Sequence, residues 1–104
     1  MSERRLVRVD QAFFDSLDQQ LGSERGPNGE PSVGDFILVD LPPIAEVFAT
    51  RFEFLAAAFS PRTDYRTLIT SGLLVPRVFV TGHLGRDGSV TLVDVALDLD
   101  AGWR

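Results

Sequence analysis

A chain of 104 residues, 44% hydrophobic and 24% charged, has room for one folded domain around one core. It contains no cysteine, which excludes disulfides and thiolate metal ligands, and no uncharged run approaches the ~20 apolar residues needed to span a bilayer. The formal net charge is −5 and all 10 cations are arginine, which argues against non-specific nucleic-acid binding, because that binding depends on basic residues neutralising phosphates.

The N-terminus, Met-Ser-Glu-Arg-Arg-Leu, lacks the apolar core and small-residue cleavage site of a signal peptide. With the absence of cysteine, this predicts a cytoplasmic protein. Residues 4–9 read as a first strand. Asp10 follows as an N-cap, with Val9 and Phe14 at the staple positions of a helix over 10–21. Phe13, Phe14, Leu17 and Leu21 form the apolar side of that helix, and Gly22 is its C-terminal stop. Residues 22–32 hold three Gly and two Pro and read as a loop.

The longest periodic feature is a stripe of Val33, Ile37, Leu41, Ile44, Phe48, Phe52, Leu55 and Phe59. Its mean step of about 3.7 residues is a helix period. The stripe stays in phase through Pro42-Pro43, which predicts helical segments over 33–40 and 42–58 with a kink at the prolines. Ser32 and Asp35 have the spacing of a capped helix start. The competing reading is a buried strand over Phe36-Ile37-Leu38-Val39, since short apolar runs are ambiguous. Ser60-Pro61 ends the helix.

The last forty residues change period. Residues 65–70 read as a strand, Ser71-Gly72 as a turn, and 74–84 and 89–99 as two long strands joined at Asp87-Gly88, a two-residue hairpin signal with both central residues at positive φ. Placing Arg86 opposite Ser89 puts Val78, Val80, Gly82 and Leu84 opposite Leu97, Val95, Val93 and Thr91 on one face. The other face then carries Arg77, Phe79, Thr81 and His83 opposite Asp98, Ala96, Asp94 and Leu92. The fold class is α+β: an N-terminal strand, two helices with the second kinked at Pro42-Pro43, then three antiparallel strands. The helices cover the Val78 face and leave the other face partly open.

That open face holds the candidate chemistry. His83 is the only histidine; with Thr81 and Asp94 near it, it could serve as a general base, although a lone strand histidine is most simply a half-exposed surface residue. Arg77 faces Asp98, either as a cross-strand ion pair or as a guanidinium held for phosphate or carboxylate. Arg62, Arg66 and Arg86 stand near strand ends and could rim the face as binding residues. Trp103 is a further binding candidate, packed over a helix end or presented to a partner. No metal-ligand spacing, phosphate loop, cofactor motif or nucleophile elbow appears.

The element order, the length and the stretches Arg66-Thr67-Leu68-Ile69, Leu74-Val75-Pro76-Arg77-Val78-Phe79-Val80 and Asp87-Gly88-Ser89-Val90-Thr91-Leu92-Val93-Asp94-Val95 together resemble the RelE/ParE toxin family of type II toxin–antitoxin systems. The resemblance implies a single RelE/ParE-like domain over 1–104. It implies a toxin-like component that binds a macromolecular target and is neutralised by an antitoxin protein laid across the groove between helices and sheet. A second copy of the chain is the other candidate partner. Arg77 falls where mRNA-cleaving members of the family carry a functional arginine on the sheet. Those members are basic after the last strand, whereas Asp98-Leu99-Asp100 follows here and would repel a scissile phosphate. The order of readings is therefore a target-binding toxin, then a non-enzymatic interaction or assembly domain reusing the fold. Last comes a ribosome-dependent mRNA endonuclease with Arg77 and His83 as phosphate clamp and base.

Overall fold

The computed structural model describes residues 4–99. Over them the chain forms strand β1 (Val7–Val9), helix α1 (Gln11–Gln20), a composite helix α2 (33–51), and strands β2 (Ala56–Phe59), β3 (Arg62–Thr70), β4 (Arg77–Leu84) and β5 (Val90–Asp98). The five strands make one sheet in the order β1-β5-β4-β3-β2, with β1 parallel to β5 and the other pairs antiparallel. The α+β class and two helices are as expected; the sheet has one strand more, and the first strand is shorter than 4–9. No helix among the described residues is long and apolar enough to cross a membrane.

Both helix starts are capped as the sequence predicts. Asp10 accepts from the Ala12 N–H at 3.2 Å, and Ser32 and Asp35 form a reciprocal capping box at 3.1 Å each way. Helix α1 stops at Leu21 in extended backbone, without a left-handed glycine at Gly22. Inside α2 the expected kink takes the form of a π-helical stretch, Phe36–Asp40, between an α turn at Val33–Asp35 and an α-helix at Leu41–Arg51. Residues 36–39 are thus helical, and the competing strand reading is excluded. Pro42 and Pro43 cannot donate to the carbonyls four residues back and would clash with them. Widening the preceding turn, so that the Leu41 N–H reaches the Phe36 carbonyl, relieves that conflict.

The wide turn also rotates the helix. From Leu41 onward the stripe is buried as expected at Leu41, Ile44, Phe48 and Phe52. Before it the buried positions are Phe36 and Asp40, while Val33 and Ile37 are half-buried. Asp40 is only 2% exposed. Its carboxylate accepts from the N–H groups of Leu73 (2.7 Å), Leu74 (3.1 Å) and Val75 (2.9 Å). Gly72 lies against the same carboxylate, where an added Cβ would stand 2.5 Å from Asp40 Oδ2. These bonds hold 73–75 as a loop, so β4 begins at Arg77 instead of at 74.

One core joins the elements. Phe13 and Leu17 of α1 with Leu21 just after it, and Phe36, Ile44 and Phe48 of α2 with Phe52 just after it, pack on Val78, Val80, Val90, Leu92 and Val95 of the sheet. Phe48 lies so close over Gly82 that an added Cβ there would meet its ring at 2.6 Å. Beyond β1 the side of β5 is covered by α1: the Gln20 amide donates to the Val95 carbonyl at 2.8 Å and accepts from the Leu97 N–H at 2.7 Å.

Three expectations are corrected. The helix does not continue to 58: after a 3-10 turn at Phe52–Phe54 the chain becomes β2, paired with β3, so tertiary pairing overrides the helix propensity of three successive alanines. Arg66 secures this corner, donating to the Leu55 carbonyl at 2.7 Å and lying 5.6 Å over the Phe52 ring. The β4–β5 turn is one residue longer than expected. The Gly85 carbonyl accepts from Gly88, Gly85 donates to Ser89, and only Gly88 has positive φ, the pattern of a three-residue loop with a glycine bulge. Leu84 therefore pairs with Val90 and His83 with Thr91. A second bulge at Val93 restores the expected pairs from Thr81–Asp94 to Arg77–Asp98. Leu92 is accordingly core, and the inward phase of β5 changes from Val90 and Leu92 to Val95.

Removal of the Asp40 carboxylate leaves three inward N–H groups without their acceptor. Asp40→Ala is expected to lower unfolding free energy by about 3 kcal/mol or more, measured by urea denaturation. Asp40→Asn, which keeps one acceptor oxygen, is expected to fall between Asp40→Ala and the parent; equal midpoints for parent and Asp40→Ala would refute this role.

Candidate functional site

Since both helices lie on one side, alternation along β3, β4 and β5 places a second set of side chains on the other. The ladder brings together Tyr65 with His83, Thr67 with Thr81 and Ile69 with Phe79, and continues through Thr81–Asp94 and Phe79–Ala96. Ile69 is 61% exposed and Phe59 57%. The Thr67 and Thr81 hydroxyls meet at 3.5 Å in the middle of the face. It is a mixed apolar and polar surface with an aromatic end.

The aromatic end is built around Asp64. Arg62 donates to it through both Nε (3.1 Å) and Nη2 (2.6 Å), and His83 Nε2 lies 3.1 Å from Asp64 Oδ2. The Arg62 guanidinium stands 4.8 Å over the Tyr65 ring, which is 4.4 Å from the His83 ring and 5.4 Å edge-on from Phe59. The hydrogen bonds from Arg62 hold the Asp64 carboxyl below its ordinary value against the opposing desolvation, and its own backbone N–H, the Arg62 charge and His83 add smaller amounts in the same direction. With one imidazole nitrogen engaged by Asp64, His83 is oriented.

Of the candidates named from sequence, Arg62 and His83 meet at Asp64, and the others lie apart from them. Arg77 is exposed and paired in the ladder with Asp98, as expected. It lies six residues along β4 from His83, roughly 20 Å at the rise of a strand, so the two do not converge on one reacting group. Asp94 is bonded by Ser16 at 3.1 Å, and Asp64, not Asp94, partners His83. Arg66 serves the β2 corner and does not rim the face. Arg86 is exposed at the hairpin tip, and Trp103 lies outside the described residues. Phe59 was hidden by its place in the helical stripe, whereas the alternation of Tyr65, Thr67 and Ile69 could have marked them as one face.

On the helix side a groove of about 340 Å³ runs between α2 and β3, lined by Pro43, Ile44, Val47, Leu68 and Leu73 and floored at Asp40. Its walls are apolar and its only carboxylate is occupied by the 73–75 backbone. Among the described residues no group of three His, Asp or Glu side chains is placed to hold a metal ion. No protein-family model, curated protein or solved structure matches the chain.

Because its folded-state pKa lies below the ordinary 3.8, Asp64 contributes stability that is present above the unfolded-state value and fades as pH falls through the folded one. In Arg62→Ala the Asp64 carboxyl is expected to titrate at higher pH than in the parent, followed by side-chain carboxyl NMR. An unchanged midpoint would show that Arg62 is not the cause.

Proposed function

We propose that this chain is a toxin-like component of a type II toxin–antitoxin pair of the RelE/ParE kind, which acts in the cytoplasm by docking on a macromolecular target and is neutralised by an antitoxin protein. The observation that carries the reading is the sheet face left bare by both helices, with Ile69 and Phe79 on one side of the Thr67–Thr81 pair and Tyr65 and Phe59 on the other. Aromatic and aliphatic side chains on a rigid scaffold suit protein recognition. The groove between α2 and β3 is the place for an antitoxin segment, since its apolar lining accepts side chains from a helix or strand.

The separation of Arg77 from His83 and the carboxylate beside the imidazole favour binding over phosphodiester cleavage. The same observations, with the net charge of −5, favour a non-enzymatic interaction domain reusing this fold as the second reading. The two differ in their effect on a cell.

Induced expression in a bacterial host is expected to arrest growth, with relief on co-expression of the adjacent gene's product. Ile69→Asp, at an exposed position, is expected to abolish arrest and to weaken target binding about tenfold or more, while thermal stability stays near that of the parent. Harmless expression of the parent would remove the toxin reading, and full arrest by Ile69→Asp would remove the open face as the docking surface.

A further inference from the structure

Asn28 is the chain's only asparagine, and a glycine follows it. The two end a turn in the loop between α1 and α2, Gly26-Pro27-Asn28-Gly29, in which the Gly29 N–H donates to the Gly26 carbonyl at 3.1 Å. Pro27 presets the first central position of that turn, and Gly29 stands at a φ of 85°, backbone that glycine adopts without strain. Asn28 is exposed. Its N–H donates to Glu30 Oε2 at 3.0 Å, and its side-chain amide has no hydrogen-bond partner among the described residues. A Cβ added at Gly29 would meet no atom beyond its chain neighbours within 4 Å. The related step Asp87-Gly88 differs: Asp87 Oδ1 accepts from the Ser89 N–H at 3.0 Å and from the Ser89 hydroxyl at 2.6 Å, which fixes the side chain.

We propose that Asn28 is a site of spontaneous covalent conversion, at which the folded protein exchanges a neutral amide for a carboxylate. The Gly29 nitrogen loses its proton to hydroxide and attacks the side-chain carbonyl carbon of Asn28. A carbon–nitrogen bond forms there and the bond from that carbon to the amide nitrogen breaks. The departing nitrogen takes a proton from water and leaves as ammonia. Water then opens the five-membered imide at either carbonyl. One product is aspartate; the other is isoaspartate, with the main chain running through the side-chain carbon. Water is the only co-reactant, and nothing is oxidised. Glycine after asparagine favours this closure because the attacking nitrogen belongs to a residue with no side chain to crowd the ring. Here the unheld Asn28 amide reaches that nitrogen at the cost of one exposed turn bond, of the kind that opens locally without unfolding. The Glu30 carboxylate already lies at the Asn28 N–H, so the new charge arises beside a like one. Repulsion between them loosens the turn that the Gly26 N–H closes on the Glu30 carbonyl at 2.9 Å.

The test holds the folded full chain at mildly alkaline and at mildly acid pH and follows it by isoelectric focusing. Mass spectrometry of the tryptic fragment from Gly26 to Arg51 locates the change. The parent is expected to acquire one negative charge, with the amide-to-acid mass gain in that fragment, and to do so faster at alkaline pH. Its rate is expected to lie within about tenfold of that of the free peptide Gly-Pro-Asn-Gly-Glu under the same conditions. Asn28→Gln, which would have to close a larger ring, is expected to lose the charge shift while keeping the circular dichroism of the parent. Asn28→Asp, the mimic of one product, is expected to quicken amide hydrogen exchange over 26–30 about twofold or more. A folded parent that stays unconverted while the free peptide converts overturns the site. So does a charge shift that persists in Asn28→Gln. Unchanged exchange in Asn28→Asp overturns the loosening of the turn.

Discussion

Two adjacent prolines cannot donate hydrogen bonds, and the rest of the structure accommodates that constraint. Pro42 and Pro43 open the preceding turn of α2 into a π-helical stretch, and the rotation that follows turns Asp40 inward where the apolar period alone would bury its neighbours. A carboxylate so enclosed is stable only if its lone pairs are occupied, and here the loop between β3 and β4 supplies three backbone donors. Helix and loop are thereby fixed to each other. The register of β3 on β4, and with it the Tyr65–His83 and Ile69–Phe79 pairs of the open face, follows from where that loop is held.

The open face is a surface of satisfied groups. Arg62, Asp64, His83, Tyr65 and Phe59 are joined by ion-pair, hydrogen-bond and ring contacts, which orient each member. Such an arrangement gives a shaped, rigid patch in which aromatic area is available at small entropic cost.

Local signals were the most readable part of the sequence. Asp10 and the Ser32–Asp35 box cap as their spacing states, the period from Leu41 to Phe52 gives the buried face of α2, and the pairs from Arg77–Asp98 to Thr81–Asp94 follow from strict alternation. What was not readable depends on contacts distant in sequence. The alanines of β2 carry helix propensity, and only the exposed side of β3 makes them a strand. Asp87-Gly88 is equally compatible with a tight two-residue turn and with a loop one residue longer. Because the apolar residues of β5 occur on both parities, Val90 and Leu92 then Val95 and Leu97, alternation could not reveal that the strand changes phase at Val93. The partner of His83 was missed because it comes from the other neighbour of β4: Asp64 reaches it from β3, while Asp94, near it in the assumed register, is bonded to α1.

The parallel pairing of β1 with β5 joins Val7 to Val90, nearly the whole described length of the chain. Contacts of such sequence separation raise the entropy lost before they form. A ribosome must therefore deliver the chain through β5 before this seam can close. Until then, Val7 and Val9 on the leading strand and the flank of β4 wait without their final neighbour. The interval is a period of exposure to chaperones, proteases and other nascent chains, which ends only when the last strand emerges.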